Sequence, residues 1–305
     1  MSLKSLVQSL QKNSDQLKSL QNIEYSQISN FYWVNLVQTT EDRLISDRTY
    51  TGFDANPEVA LAKAISECVE RNAFIAGDKL GLESCNTERS DGFAAYPKLG
   101  ITDELAQEKA RENALSEAIE RFAWATWWDD IHVSFKYADF SLKTFEIEYA
   151  DHARIISEIN NQKEIIKIHV IRPEFQSYGQ YSLNIVVVEF SDGIVTGGAC
   201  GKLEDELNVM TRATSEMLRH ALVLIQNKPK PIQLSLYEER LLYYGSPQGK
   251  QSFYNRISQI GKKKITFPAL YIDEKIPSVD THSVYRCLFE DQPPFIGGAV
   301  ERMCL

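Results

Sequence analysis

AISECVERNA (residues 64–73) and ALSEAIERFA (residues 114–123) align without gaps, with Ala, Ser, Glu, Glu, Arg and Ala at the same six positions. Ile65/Leu115 and Val69/Ile119 are conservative exchanges, and a fainter third copy is ATSEMLRHA (213–221). A repeated segment is one supersecondary unit used more than once, so it constrains the fold before any single element does. Each copy follows a glycine-bearing stretch with strand-like flanks: TYTGFDA ending at Ala55, SDGFAA ending at Ala95 and IVTGGACG ending at Gly201. The unit reads as strand, glycine turn, helix.

Helix starts are legible in the first two copies. Asn56-Pro57-Glu58 supplies a cap, a first-turn proline and an acid, and Thr102-Asp103-Glu104 does the same without the proline. Helices are expected at about 57–76, 102–128 and 204–226. Strands are expected where β-branched and aromatic residues concentrate, at 31–38, 165–172, 182–190, 264–272 and 282–289. Strands and helices in this alternation predict an α/β (α+β) architecture with helices packed on sheet. No Pro/Gly/Ser-rich linker divides the chain, which predicts one domain over residues 1–305. Within it lie an N-terminal amphipathic helix (1–25), a motif-bearing region (51–226) and a C-terminal region (227–305).

At 100° per residue, the first helix puts Leu61, Ile65, Cys68 and Val69 on one face and Lys63, Glu67, Glu70, Arg71 and Phe74 on another. The second puts Leu115, Ala118, Ile119 and Phe122 opposite Asn113, Glu117, Glu120, Arg121 and Trp124. In the third, Arg212, Glu216, Arg219, His220 and Val223 share the corresponding face. Two readings stay open. The charged faces are solvated and carry i, i+4 pairs such as Glu67 with Arg71, worth a few tenths of a kcal/mol each. Alternatively the helices bring the faces together, and four carboxylates then repel by several kcal/mol unless a cation or protons compensate. All-oxygen ligation suits a hard ion such as magnesium, which takes much of its shell from water and substrate phosphates. Arg71, Arg121 and the basic side of the third helix would then face phosphate oxygens.

Composition removes several alternatives. With 43% hydrophobic and 25% charged residues the chain can bury a sizeable core. A net charge of −9 speaks against nucleic-acid and anionic-membrane partners, and the run Lys262-Lys263-Lys264 reads as a solvated turn. The cysteines at 68, 85, 200, 287 and 304 have no CxxC or Cys/His spacing, so no disulfide framework or zinc site is expected and a cytoplasmic location fits. No apolar stretch reaches the roughly 18 residues of a membrane span. TGGACGK (196–202) lacks the first glycine and the final Ser/Thr of a phosphate loop. The aromatic run Phe122, Trp124, Trp127, Trp128 reads as core.

The paired segments ANPEVALAKAISECVERNAF and ARENALSEAIERFA resemble the nucleotide-binding motifs of YcaO proteins, and the similarity extends from about Thr51 to Val223. The resemblance implies a YcaO-like fold in which the repeated units surround a nucleotide cavity. It implies ATP and Mg2+, with Glu67, Glu70, Glu117 and Glu120 toward the metal and Asn113, Arg71, Arg121, Glu216 and Arg219 toward the nucleotide. It also implies ATP-dependent phosphorylation of a peptide backbone amide, giving azoline or related products in ribosomal peptides, with a separate leader-binding partner protein and a homodimer. The family's third motif reads ExxQxR, where this chain has Glu216-Met217-Leu218-Arg219-His220-Ala221. Lys63 stands where the family often has Ser, and the residues after Pro293-Pro294 do not match the proline-rich tail of azoline-forming members. The alternative is a catalytically degenerate YcaO-like binding or scaffold protein.

Overall fold

The structure, a computed structural model, describes residues 20–28, 31–38, 48–79, 91–98, 100–226, 236–278, 281–295 and 299–303. Its contacts divide the chain into two compact units. Among the described residues, one comprises those up to Lys79, Asp91–Leu115 and Tyr271–Leu288; the other comprises those within Ser116–Leu270 and from Phe289 onward.

In the first unit β1 (Leu20–Ile28), β2 (Phe31–Gln38) and β3 (Arg48–Asp54) form an antiparallel meander in the order β1-β2-β3. Helix α1 (Pro57–Lys79) packs on it, and Ala60, Leu61, Ala64, Ile65 and Cys68 are buried against Val34, Leu36 and Tyr50. The 3.6-residue spacing thus places the apolar face as expected. One turn further along, Val69 and Ala73 pack with Phe93, Ala95, Ile276 and Val284. Those partners come from a second antiparallel sheet, β4-β10-β9, made of β4 (Gly92–Pro97), β9 (Leu270–Ile276) and β10 (His282–Phe289). Asp91 and Arg286, both almost wholly buried, form an ion pair at 2.5 Å.

In the second unit β5 (Phe135–Phe140), β6 (Ile165–Pro173), β7 (Tyr181–Phe190) and β8 (Ile194–Lys202) form an antiparallel sheet in sequence order. Helix α5 (Glu206–Gln226) packs on its buried face through Ala213, Met217 and Ala221. Other α-helices among the described residues are α2 (Asp103–Asp129), whose residues from Ser116 onward count with this unit, α3 (Leu142–Glu148), α4 (Ala150–Gln162), α6 (Leu236–Tyr244) and α7 (Pro247–Ile257). Phe122, Phe267 and Phe289 meet with ring centroids 5.1 to 5.6 Å apart. Phe122, Trp124 and Trp127 are buried, as a core role for the aromatic run requires.

Both expected helix caps form: Asn56 Oδ1 accepts from the Glu58 N–H at 2.8 Å and Thr102 Oγ1 from the Leu105 N–H at 3.3 Å. Three expectations change. Residues 20–25 are strand and not the end of an N-terminal helix, because Ile23, Tyr25 and Ile28 suit an extended chain and β2 supplies the ladder partners; residues 1–19 of that expected helix lie outside the described set. The strand expected at 264–272 begins only at Leu270. Pro268 has no N–H for a ladder, and before it Lys263 and Ile265 make only single bridges, to Val133 and Phe175. The order strand then helix holds in the repeat, but Gly52, Gly197 and Gly198 lie inside strands and not in turns.

These glycines have a packing cause. A Cβ at Gly52 would collide with the Ala60 carbonyl in α1, and one at Gly197 with the α5 backbone at Met217. Successive residues face opposite sides of a strand, and a Cβ at Gly198 would enter the Trp124 ring. The TGG of β8 is therefore filled by protein on both faces. It is strand, not a phosphate loop, and does not leave backbone open for a nucleotide on those sides.

Candidate functional site

Each charged helix face sits beside the edge of a strand. In the first unit, Glu67 Oε2 accepts the Thr51 N–H of β3 at 2.8 Å, and its other oxygen lies 3.4 Å from Arg71 Nη2. Thr51 Oγ1 and Trp33 Nε1 both bond Asn35 Oδ1, at 3.1 and 2.8 Å. Lys63 turns away to Asp54 at 2.7 Å and the Phe53 carbonyl at 3.2 Å. Glu70 and Asn72 are half-buried beside them. The side chain of Phe74 lies outside the described set.

In the second unit the edge of β8 is closed by side chains from two helices. Glu120 Oε2 accepts the Cys200 N–H at 3.0 Å, and Arg212 Nη1 donates to the Cys200 carbonyl at 3.3 Å. Two residues earlier on that edge than Gly198, the Thr196 carbonyl accepts from His220 Nδ1 at 2.7 Å. A ring nitrogen facing a carbonyl carries the proton, so the other nitrogen, Nε2, is the one left facing Glu216 Oε1 at 3.3 Å and Arg219 Nη2 at 3.2 Å. Tyr237 of α6 packs its ring 5.5 Å from that imidazole. Arg121 bonds Glu117 and Arg219 bonds Glu216, each within its own helix.

The electrostatics divide the acids. Burial pushes the Glu120 carboxyl up to about 7; Glu117 adds to the rise, while Arg212 and the Cys200 N–H oppose it. Burial also acts on Glu216, but Arg219 and His220 overcome it and hold that carboxyl well below the usual carboxylate range. The Cys200 thiol is raised well above its ordinary value by burial and by Glu120, so it is inert as a nucleophile. Cys68, Cys200 and Cys287 are buried free thiols.

Of the residues expected from the sequence, Glu67, Glu70 and Arg71 lie in the first unit, where Asn113 is exposed on α2. Glu117, Glu120, Arg121, Glu216 and Arg219 lie in the second, where the strand edge ties Glu120 and the third-motif residues into one polar assembly. Trp124, which a helical projection puts on the polar face, is fully buried behind Gly198. Arg212 projects onto the charged face of its helix, but its bond to Cys200 is not readable from the sequence, and Tyr237 carried no signal at all. Among the described residues, no three His, Cys, Asp or Glu side chains lie together closely enough to hold a metal by themselves.

The C-terminal segment borders the second motif. Phe295 packs edge-on against Trp124 at 5.7 Å, with the Arg121 guanidinium 5.8 Å from its ring. Buried Arg240 donates to the Phe295 carbonyl at 2.9 Å and the Ala299 carbonyl at 3.2 Å. Arg302 bonds Asp129 and the Pro294 carbonyl, and Tyr244 bonds the Glu301 carbonyl.

This arrangement of strands and helices is the YcaO fold. YcaO from Methanopyrus kandleri bound with AMPPCP and Mg2+ superimposes with a TM-score of 0.57 at 11% identity, over 97% of this chain and 92% of that one. The E. coli microcin synthetase McbBCD complex with pro-MccB17 bound gives a TM-score of 0.54 at 11% identity, over 88% of this chain and 86% of the other. No family model and no curated protein matches the sequence. No helix among the described residues is long and apolar enough to cross a membrane.

Proposed function

We propose that the chain binds ATP with magnesium at the charged helix faces and phosphorylates a peptide backbone amide, leading to an azoline or a related modification of a ribosomal peptide. The observation that carries this reading is the assembly at the edge of β8. There Glu120 of one helix and His220 of another are fixed by bonds to the strand, His220 and Arg219 both meet Glu216, and Glu117 is held by Arg121 of its own helix. The donor set fits the ligand. Carboxylates are hard oxygen donors suited to magnesium, which is usually held by one or two of them together with substrate phosphates. Glu67, Glu117 and Glu216 are each paired with an arginine of their own helix. A dication at the carboxylate frees that guanidinium for phosphate oxygens.

In this reading Glu67, Glu70, Glu117 and Glu120 face the metal, and Asn113, Arg71, Arg121, Glu216 and Arg219 face the nucleotide. Amide activation of this kind rests on positioning and charge neutralisation, which fixed carboxylates and guanidinium groups supply. The neighbours named above, one bound with AMPPCP and Mg2+ and one a synthetase with pro-MccB17 bound, support it at the level of fold. A peptide substrate, a separate leader-binding partner, a homodimer and a cytoplasmic location belong to the same proposal. Titration calorimetry with AMPPCP and Mg2+ tests it. Binding at micromolar to millimolar nucleotide is expected, and no binding at millimolar nucleotide removes it.

One observation favours a second reading, a binding or scaffold protein without turnover. Arg219 and His220 are occupied with Glu216 and the Thr196 carbonyl, and Ala221, where the family has Arg, is buried. Under that reading nucleotide binds but no phosphate is released with any peptide and partner present.

A further inference from the structure

Away from the charged helix faces, the second unit contains a polar chain that the proposed amide chemistry does not use. It runs across β5, β6 and β7 beneath α7. Glu189 Oε1 receives the Lys250 ammonium at 2.7 Å, and Glu189 Oε2 receives the Tyr254 hydroxyl at 2.6 Å and lies 3.1 Å from His169 Nε2. His169 is completely buried, with its ring 5.1 Å from Phe253 and 6.0 Å from Tyr254. Its Nδ1 lies 2.8 Å from the hydroxyl of Tyr137, a residue that is 39% exposed.

The proton positions follow from the partners. An ionised carboxylate accepts only, so Nε2 of His169 carries a hydrogen and donates it to Glu189. Lys250 and Tyr254 keep Glu189 ionised against the effect of its burial, holding its carboxyl below the ordinary value. Burial, only partly offset by Glu189, lowers the His169 value, so the ring is neutral. Its Nδ1 therefore has a free lone pair and accepts from the Tyr137 hydroxyl. The hydroxyl of a partly exposed tyrosine on an imidazole that is itself oriented by a buried carboxylate is the order of groups that activates a hydroxyl nucleophile.

We propose that Tyr137, His169 and Glu189 form a nucleophile, base and orienting carboxylate that take an acyl group from an activated ester or thioester onto the Tyr137 oxygen. That oxygen attacks the acyl carbon, its proton passes to His169 Nδ1, and the alcohol or thiol leaves with the electron pair of the broken bond and recovers the proton. The product is O-acyl Tyr137. The resulting imidazolium is stabilised by Glu189. The tyrosine hydroxyl itself is held protonated, at about 12, by burial first and then by Asp139 and Glu189, so it reacts through the base and not as free phenolate. Asp139, opposite His169 in the ladder, is paired with Lys167 at 2.8 Å.

The test uses p-nitrophenyl acetate on the intact chain, with acetylated tyrosines located and timed by peptide mass spectrometry. Tyr25 and Tyr271 are more exposed, at 49% and 57%, so accessibility alone ranks Tyr137 behind both. We expect Tyr137 to acquire acetyl on the order of 100-fold faster than either, the usual size of base assistance. His169→Gln keeps a donor toward Glu189 but removes the base, and is expected to bring Tyr137 down to the rate of the other two. Labelling of Tyr137 no faster than of Tyr25 and Tyr271 in the native chain overturns the proposal. So does undiminished labelling in a folded His169→Gln protein. If that variant does not fold, the native comparison decides alone.

Discussion

Glu120 of α2 and Cys200 of β8 lie 80 positions apart in sequence, yet a carboxylate oxygen of the first accepts the backbone N–H of the second at 3.0 Å. A carboxylate at the position expected to meet a metal is thus also the cap of a sheet edge. Glu67 does the same for Thr51 at 2.8 Å. Both acids carry a structural duty that any ligand would have to share or displace.

Two substitutions separate the duties at Glu120. Glu120→Ala leaves the Cys200 N–H without its partner and should cost about 1 to 3 kcal/mol of stability, read as a lower urea midpoint. Glu120→Gln keeps an acceptor for that N–H, so the midpoint at pH 6 should stay close to the native value, while magnesium-dependent AMPPCP binding falls by at least about tenfold in calorimetry. Unchanged nucleotide affinity in the Gln variant would remove Glu120 from the proposed ligand set.

Gly197→Ala places a methyl group against the α5 backbone, which cannot rotate aside, and should destabilise by about 3 kcal/mol. Gly198→Ala meets the Trp124 ring first and should cost less, because a side chain can shift where a helix backbone cannot. Thermal unfolding of the pair gives the order, and the reverse order would contradict the packing described for β8.

Arg240→Met removes the donor to the Phe295 and Ala299 carbonyls while keeping an apolar stem of similar reach. We expect a loss of roughly 2 kcal/mol, with hydrogen-exchange protection falling first at Phe295 and residues 299–303 and spreading to Trp124. Protection retained there would show that Arg302 and Tyr244 suffice to hold the segment.

His282 sits in β10 of the first unit, and burial, with Lys98 adding to it, lowers its value from 6.5 to about 4. The unfolded chain therefore takes up a proton at this site as pH falls below 6.5, while the folded chain resists until about 4. Its contribution to stability is intact above pH 7, declines through pH 6.5 to 4, and at the acid limit has fallen by roughly 3 kcal/mol. His282→Asn should flatten the change in urea midpoint between pH 7 and pH 5 relative to the native chain. Glu120 acts with the opposite sign: a carboxyl raised to about 7 contributes stability that is complete below 4.5 and is lost as pH rises through 7. The comparison is therefore best made in an E120Q background.

Much of the fold was legible because periodicity and caps are local. Asn56 and Thr102 start helices where their side chains say they should, and Leu61, Ile65 and Cys68 are buried as their spacing requires. What was not legible depends on partners distant in sequence. Nothing near Leu20 announces that β2 will pair with it, and the strand begun at Leu270 follows a proline whose effect is clear only once the bridges at Lys263 and Ile265 are seen. At the charged faces the residue types were legible but their bonds were not. Helical projection set Trp124 among the polar groups, whereas a missing side chain at Gly198 gives it a slot in the core. Projection also put Arg212 and His220 on the right face, but that each answers a carbonyl of β8 follows only from the edge position of that strand.

The two bare residues of β8 act as a shim. With α5 resting directly on Gly197 and the indole of Trp124 on Gly198, the gap at this level has the thickness of an unadorned strand and no more. Glu216 and Arg219 ride on the helix that touches one side, and Glu120 and Arg121 ride with the indole on the other. The tolerance of that spacing is therefore set by two absent methyl groups, and selection for the charged side chains must also act on positions that carry no side chain at all.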